Sequence, residues 1–138
     1  IRAIPALFFI IMTKILAIDP GSKKTGIAIS DRTQTIAFCF DTLKTDENLT
    51  NKLQSIIDTE KVELVIIGKN LYPSKYFNAT QWAKTYCNKL SVDVIEVNED
   101  YSTFRALEQN PDADKDQAAA QYILQEYLDN KNGSRNGI

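Results

Sequence analysis

The chain is expected to fold as a mixed α/β domain, five strands in one sheet flanked by helices. Three features carry that expectation. Two apolar runs near the start are joined by a short basic turn containing Gly21, which is a hairpin pattern. Later apolar runs alternate with stretches of helical period. The length of 138 residues, 43% hydrophobic and 25% charged, suits one domain able to bury a core.

Residues 15–18 read as a buried strand and 25–30 as its hairpin partner, with Gly21 turning between them at no Cβ cost. Residues 35–40 (TIAFCF) make a third β-rich run. From 46 to 60 apolar residues recur at Leu49, Leu53, Ile56 and Ile57, a helix with acidic residues in its first turn. Residues 62–67 (VELVII) read as a central strand ending at Gly68. Residues 69–78 form a loop carrying Pro73, and 79–90 a second helix with Trp82, Ala83 and Tyr86 on one side. Residues 92–97 make the fifth strand. Ser102 or Thr103 caps a short helix through Glu108, and Asn110-Pro111-Asp112 breaks the chain. A last helix spans 116–128, with Ala119, Ala120, Ile123, Leu124 and Tyr127 at core spacing. Residues 130–138 (NKNGSRNGI) have little to bury and are expected to be disordered. The two strand–helix–strand crossovers should pair parallel and right-handed.

Composition excludes more chemistry than it suggests. With no histidine in the chain, there is no Ser-His triad, no imidazole base and no His-bearing zinc site. Catalysis would fall to carboxylates, lysines or a metal held by oxygen. Cys39 and Cys87 lack a CxxC spacing and are expected as reduced structural thiols. A net charge of −2 gives no overall attraction for nucleic acid, so such binding needs a local patch. The first eleven residues (IRAIPALFFII) are too short an apolar run to span a bilayer, and they lack a small-x-small cleavage site. Met12 is taken as the natural start, with 1–13 a leader outside the fold and a cytoplasmic location; an extra N-terminal strand or helix is the alternative.

Ligands of such sheets gather at the carboxyl ends of the strands. Asp19 ends the first strand, Glu99 lies just past the fifth, and Asp116 opens the last helix. These three acids can converge. Each also has a plain structural role open to it: Asp19 could hold the following turn, and Asp116 could be a helix N-cap. Asp31 reads as a turn residue, and Trp82 and Tyr86 as core. Tyr72, Tyr76 and Phe77 are expected to pack on the body of the protein more than to stack on bases.

Three segments together resemble the YqgF family, the Holliday-junction resolvase-like nucleases. They are 16–31 (LAIDPGSKKTGIAISD), 97–103 (VNEDYST, against the family's V-D-E-R-L-[ST]-T), and the helix beginning DQAAA at Asp116 with Ile123-Leu124-Gln125. Val65-Ile66-Ile67-Gly68 falls where the family's V-V-G-L-P strand would. The resemblance spans about residues 14–129 and implies a ribonuclease H-like nuclease domain. It implies Asp19, Glu99 and Asp116 as catalytic acids and metal ligands. Gly21, Ser22, Lys23, Lys24, Ser102 and Thr103 are expected to contact substrate, with Lys23 and Lys24 equally open to being solvated surface lysines. The implied cofactor is Mg²⁺ or Mn²⁺, as two ions. Hard divalent cations take oxygen ligands, and two about 4 Å apart clamp the attacking and leaving oxygens of a phosphodiester. The implied partner is nucleic acid, either precursor ribosomal RNA or branched DNA, with no membrane and with a homodimer left open. Maturation of pre-16S ribosomal RNA is preferred to junction resolution.

Departures from the family pattern fall on grip. Asp100 replaces an arginine, Asn70 replaces a proline, and the stretch before Asp116 is acidic where basic residues are usual. Two rival readings remain: an ATP-binding domain of the actin and sugar-kinase type, and a binding module that keeps the fold without catalysis. The first would need a second phosphate motif and far more chain.

Overall fold

The protein is described from a computed structural model, which covers residues 13–70, 77–99 and 114–135. Its elements in order are β1 (Lys14–Asp19), β2 (Lys24–Ser30), β3 (Ala37–Lys44), α1 (Leu49–Glu60), β4 (Val62–Asn70), α2 (Ala79–Tyr86), β5 (Asp93–Glu99) and α3 (Lys115–Arg135). The five strands form one mixed sheet in the order β3-β2-β1-β4-β5. β1 pairs antiparallel with β2 and parallel with β4, β2 pairs antiparallel with β3, and β4 pairs parallel with β5. The carboxyl ends of β1, β4 and β5 therefore share one edge, as expected for a sheet whose later strands arrive by crossovers.

Strand pleating divides the apolar residues into two cores. Leu16, Ile18, Ile27, Ile29, Val65 and Ile67 pack with Leu49, Leu53 and Ile57 of α1 and Trp82 of α2. Ile15, Ala17, Ala28 and Ile66 pack under α3 with Ala120, Ile123, Leu124 and Leu128. The sheet is thus sandwiched between helices, and its central strands are apolar on both faces because both are covered. The same two-residue period puts Asp19 on the α3 face, in line with Ile15 and Ala17.

Several boundaries move from the expected ones, each for a polar or non-local reason. β3 begins at Ala37 instead of 35 because Asp31 organises the preceding residues as a turn. Its carboxylate accepts from the Thr33 hydroxyl at 2.5 Å and from the N–H groups of Thr35 at 2.8 Å and Ile36 at 3.1 Å. α1 starts at Leu49, so Asp46 and Glu47 precede it and its first turn carries no acid. Asp46 instead receives the Asn48 N–H at 2.9 Å. β4 runs on through Gly68 and Lys69 to Asn70 because β5 supplies Val97, Asn98 and Glu99 as ladder partners. α2 ends at Tyr86, short of Leu90. The last helix continues well past Leu128, and residues 130–135 are helical where disorder was expected. Their anchors are polar: Lys131 Nζ donates to Gln34 Oε1, and Asn132 Nδ2 to the Gln34 carbonyl. The leader through Met12, the expected helix from 102 or 103 to 108, and residues 136–138 lie outside the described residues.

Both cysteines are free, Cys39 exposed and Cys87 buried. Burial pushes the Cys87 thiol up to about 12, which keeps it protonated and inert. No helix among the described residues is long and apolar enough to cross a membrane.

Asp31 is a turn residue, as expected, and its charge makes it a pH-sensitive one. Burial raises its pKa, but the bonds from Thr33, Thr35 and Ile36 outweigh this and hold it below the ordinary 3.8. A carboxyl depressed in the folded state stabilises fully above its unfolded pKa and loses that contribution as pH falls through the folded value. Asp31→Ala is expected to cost about 1 kcal/mol at neutral pH. Below pH 3.8 the gap between variant and wild type should close. Paired melting curves at neutral and acid pH check this, and a gap that persists in acid would remove the carboxylate from the explanation.

Candidate active site

The shared carboxyl edge of β1, β4 and β5 carries the acids, and a glycine brings two of them together. Asp19, the half-buried last residue of β1, stands in register with Gly26 of β2. The first turn of α3 lies directly on Gly26. A Cβ built there would meet the Asp116 carbonyl oxygen at 2.0 Å and the Asp116 Cβ at 2.9 Å. Asp116, also half-buried, therefore rests over the strand position that neighbours Asp19. Only glycine permits this approach.

Asp116 is not the helix cap. That role falls to Asp114, whose Oδ1 accepts from the N–H groups of Asp116 at 2.9 Å and Gln117 at 3.2 Å and from the Thr42 hydroxyl at 3.0 Å. Burial raises the Asp114 carboxyl, while these bonds and the charge of Lys24 more than offset it and hold it below the usual carboxylate range. The Asp116 side chain is thereby released from capping. Asp114 was visible in sequence only as part of an acidic stretch; its position two residues before a helical acid was the available signal. Gly26 was the other omission, and a glycine inside a strand pattern was its signal.

Glu99 closes β5 in backbone register with Asn70, at the same end of the sheet as Asp19. Its side chain lies outside the described part of the structure, as do Ser102, Thr103 and Asp100. Among the described residues, no group of three or more His, Cys, Asp or Glu forms a metal cluster. The two acids that are described supply the hard anionic oxygens that Mg²⁺ and Mn²⁺ take, so the residues present fit such an ion.

The β1–β2 turn is held by its backbone. The Gly21 carbonyl accepts from the Thr45 hydroxyl at 2.8 Å and from the Trp82 indole N–H at 3.1 Å. The Lys23 carbonyl receives the Thr45 N–H at 2.9 Å. A Cβ at Gly21 would fall 2.1 Å from the Lys24 carbonyl oxygen, so the turn is as tight as its glycine allows. Ser22, Lys23 and Lys24 are exposed on it. Lys24 lies near enough to Asp114 for its charge to be felt, which puts it on the same side of the hairpin as α3 and the acids.

Residues 13–130 match the family described as "RuvX: Holliday junction resolvase". A Flavobacterium johnsoniae protein named "Putative pre-16S rRNA nuclease" is 32% identical over 137 residues, covering 87% of this chain and 99% of that protein. A Staphylococcus epidermidis protein of the same name is 37% identical over 136 residues, covering 84% of this chain and 95% of that one. Among solved structures, Thermus thermophilus RuvC in complex with a Holliday junction substrate superposes with a TM-score of 0.61 at 13% identity, over 88% of this chain and 96% of RuvC. That likeness, with the strand order above, shows a ribonuclease H-like fold.

Proposed function

The chain belongs to the RuvX Holliday junction resolvase family, and we propose on that premise that it is a metal-dependent nuclease. Its reaction is hydrolysis of phosphodiester bonds in structured nucleic acid, in maturation of the 5′ end of pre-16S ribosomal RNA. The observation that supports this best is the seating of Asp116 on Gly26, beside the register position of Asp19. The Asp19 and Asp116 positions, far apart in sequence, are neighbours there, at the end of the sheet where ligands of such folds bind.

Asp19, Asp116 and Glu99 would hold Mg²⁺ or Mn²⁺, which supplies Lewis acidity and charge neutralisation at the phosphodiester. The chain's own residues do the rest. The clamped Gly21 turn fixes where β1 ends and so where the Asp19 carboxylate stands. Lys24, on the acids' side of the hairpin, offers an ammonium to a phosphate oxygen of the backbone, and Lys23 offers a second. Asp114 holds the first turn of α3 in place and leaves the Asp116 oxygens to the site. The nuclease domain is taken as 14–129 and its location as cytoplasmic.

Resolution of Holliday junctions is the second reading, favoured by the family's description and by the fold shared with RuvC. A cleavage screen with Mg²⁺ or Mn²⁺ over precursor rRNA fragments and junction DNA separates the two. Cleavage of the rRNA fragments near the mature 5′ end is expected. Cleavage of junctions alone would move the assignment to recombination, and no cleavage of either would leave a binding module.

Binding should be weak and only mildly salt-dependent, because the net charge is −2 and Asp100 stands where the family has arginine. Each phosphate contact adds about 0.9 to the slope of log affinity against log salt on duplex DNA. Asp100→Arg is expected to tighten binding and steepen that slope by about one unit. A salt titration of both proteins on one labelled substrate checks this. A wild-type slope of many units would reveal a basic surface beyond Lys23, Lys24, Lys69 and Lys75.

A further inference from the structure

On the other side of the Gly21 turn from the acids lies a cavity of about 390 Å³, between the turn and α2. Its volume is in the range of small-ligand sites. Phe77, Trp82 and Tyr86 give it an aromatic lining, and Ser22, Asn78 and Gln81 supply polar groups at its rim. We propose that this groove receives an unpaired nucleobase of the substrate strand, next to the phosphodiester held at Asp19 and Asp116. The inference rests on the nuclease reading and adds to it a requirement for a single-stranded nucleotide beside the cut.

The aromatic wall is rigid. Trp82 is buried, and its N–H is committed to the Gly21 carbonyl at 3.1 Å. Tyr86 lies against it with ring centroids 5.1 Å apart. A flat base can stack on the half-buried Phe77 and Tyr86 rings, which the buried Trp82 backs, whatever its identity. The amides at the rim are available to its edge. Asn78 uses its Oδ1 to cap α2, accepting the Gln81 N–H at 3.0 Å, which leaves its Nδ2 as a donor. The exposed Gln81 amide makes no hydrogen bond among the described residues. Together they present the donors and acceptor that a Watson–Crick edge pairs with.

Position ties the groove to the chemistry. The carbonyl that fixes Trp82 belongs to Gly21, two residues after Asp19, so one turn separates the groove from the acids. A strand crossing Ser22 and Lys23 would carry its next nucleoside from one side of the turn to the other. A base still paired in a duplex has its edge occupied and its faces stacked, and cannot enter.

Trp82 is the chain's single tryptophan and lies against Tyr86, so its emission reports on the groove wall through that ring contact. The full chain, in calcium to suppress turnover, would be titrated with a short oligouridylate, its deoxyuridylate counterpart, an abasic strand and a duplex of equal length. The expected result is a change of Trp82 emission with the oligouridylate, the deoxyuridylate or both, and none with the abasic strand or the duplex. Gln81→Ala, an exposed change on a helix, should weaken that response about tenfold, the scale of one base contact, with an unchanged melting temperature. An equal response to the abasic strand, or no response to any strand, overturns the proposal. Magnesium-dependent cleavage measured beside it keeps the two readings apart: cleavage without the emission change sinks the groove alone, and the emission change without cleavage sinks the nuclease alone.

Discussion

Asp19→Asn is expected to fold like the wild type and to lose about a thousandfold of its Mg²⁺- or Mn²⁺-dependent cleavage, equivalent to roughly 4 kcal/mol of transition-state stabilisation. The substitution preserves size and shape and removes one anionic oxygen. Asp19 ends its strand half-buried, with Ile18 and Ala17 before it fully buried, so the change leaves the core untouched. The loss is therefore assigned to charge at the site. Calcium is expected not to rescue either protein, since it takes oxygen ligands in looser geometry. The check is a cleavage rate on one substrate, with a melting curve to establish folding. Near-normal activity in a purified, folded variant would sink the assignment of Asp19.

Gly26→Ala is the corresponding test of architecture. The added methyl would sit 2.0 Å from the Asp116 carbonyl oxygen and 2.3 Å from its carbonyl carbon, and both are backbone atoms with no rotamer to yield. Either β2 bends or the first turn of α3 lifts. Overpacking of this kind costs about 3 kcal/mol. Displacing Asp116 by ~1 Å should further reduce cleavage about a hundredfold. A useful contrast lies on the same helix, where a Cβ at Gly133 meets nothing within 4 Å. Gly133→Ala should stabilise by up to ~1 kcal/mol through helix propensity. Melting curves and cleavage rates of the two variants decide the matter. If Gly26→Ala melts and cleaves like wild type, the helix does not rest on the strand as described.

Much of the fold could be read directly because it is written in apolar periodicity. The continuous apolar runs of β1 and β2 and the spacing of Leu49, Leu53 and Ile57 needed no knowledge of tertiary neighbours, and Asp19 stood out as an acid ending a buried run before a glycine turn. What escaped is carried by polar or backbone contacts between distant residues. The turn built on Asp31 moved the start of β3, and β5 extended β4 by lending it ladder partners. Gln34 drew the last helix out to Arg135, since its bonds to Lys131 and Asn132 leave no trace in a hydrophobic pattern. Gly26 was legible as a glycine in a strand, but the identity of the atom resting on it required the fold. A capping role for Asp116 stayed open in the sequence until Asp114 was seen to do the capping.

The docking of α3 also sets when this protein can act. Its contacts reach far back along the chain: the Ala37 N–H is met by Gln125, 88 residues later, and Gln34 by Lys131, 97 residues later. Chains are made from the N-terminal end at about 5–20 residues per second, and contacts of such separation form last. Asp19 and its hairpin emerge from the ribosome early, whereas the helix bearing Asp116 follows only after all five strands. Until then Ile15, Ala17, Ala28 and Ile66 have no cover, and Asp116 has not come to rest on Gly26. A nascent chain is thus expected to have no cutting activity until α3 has been made and has docked on the sheet.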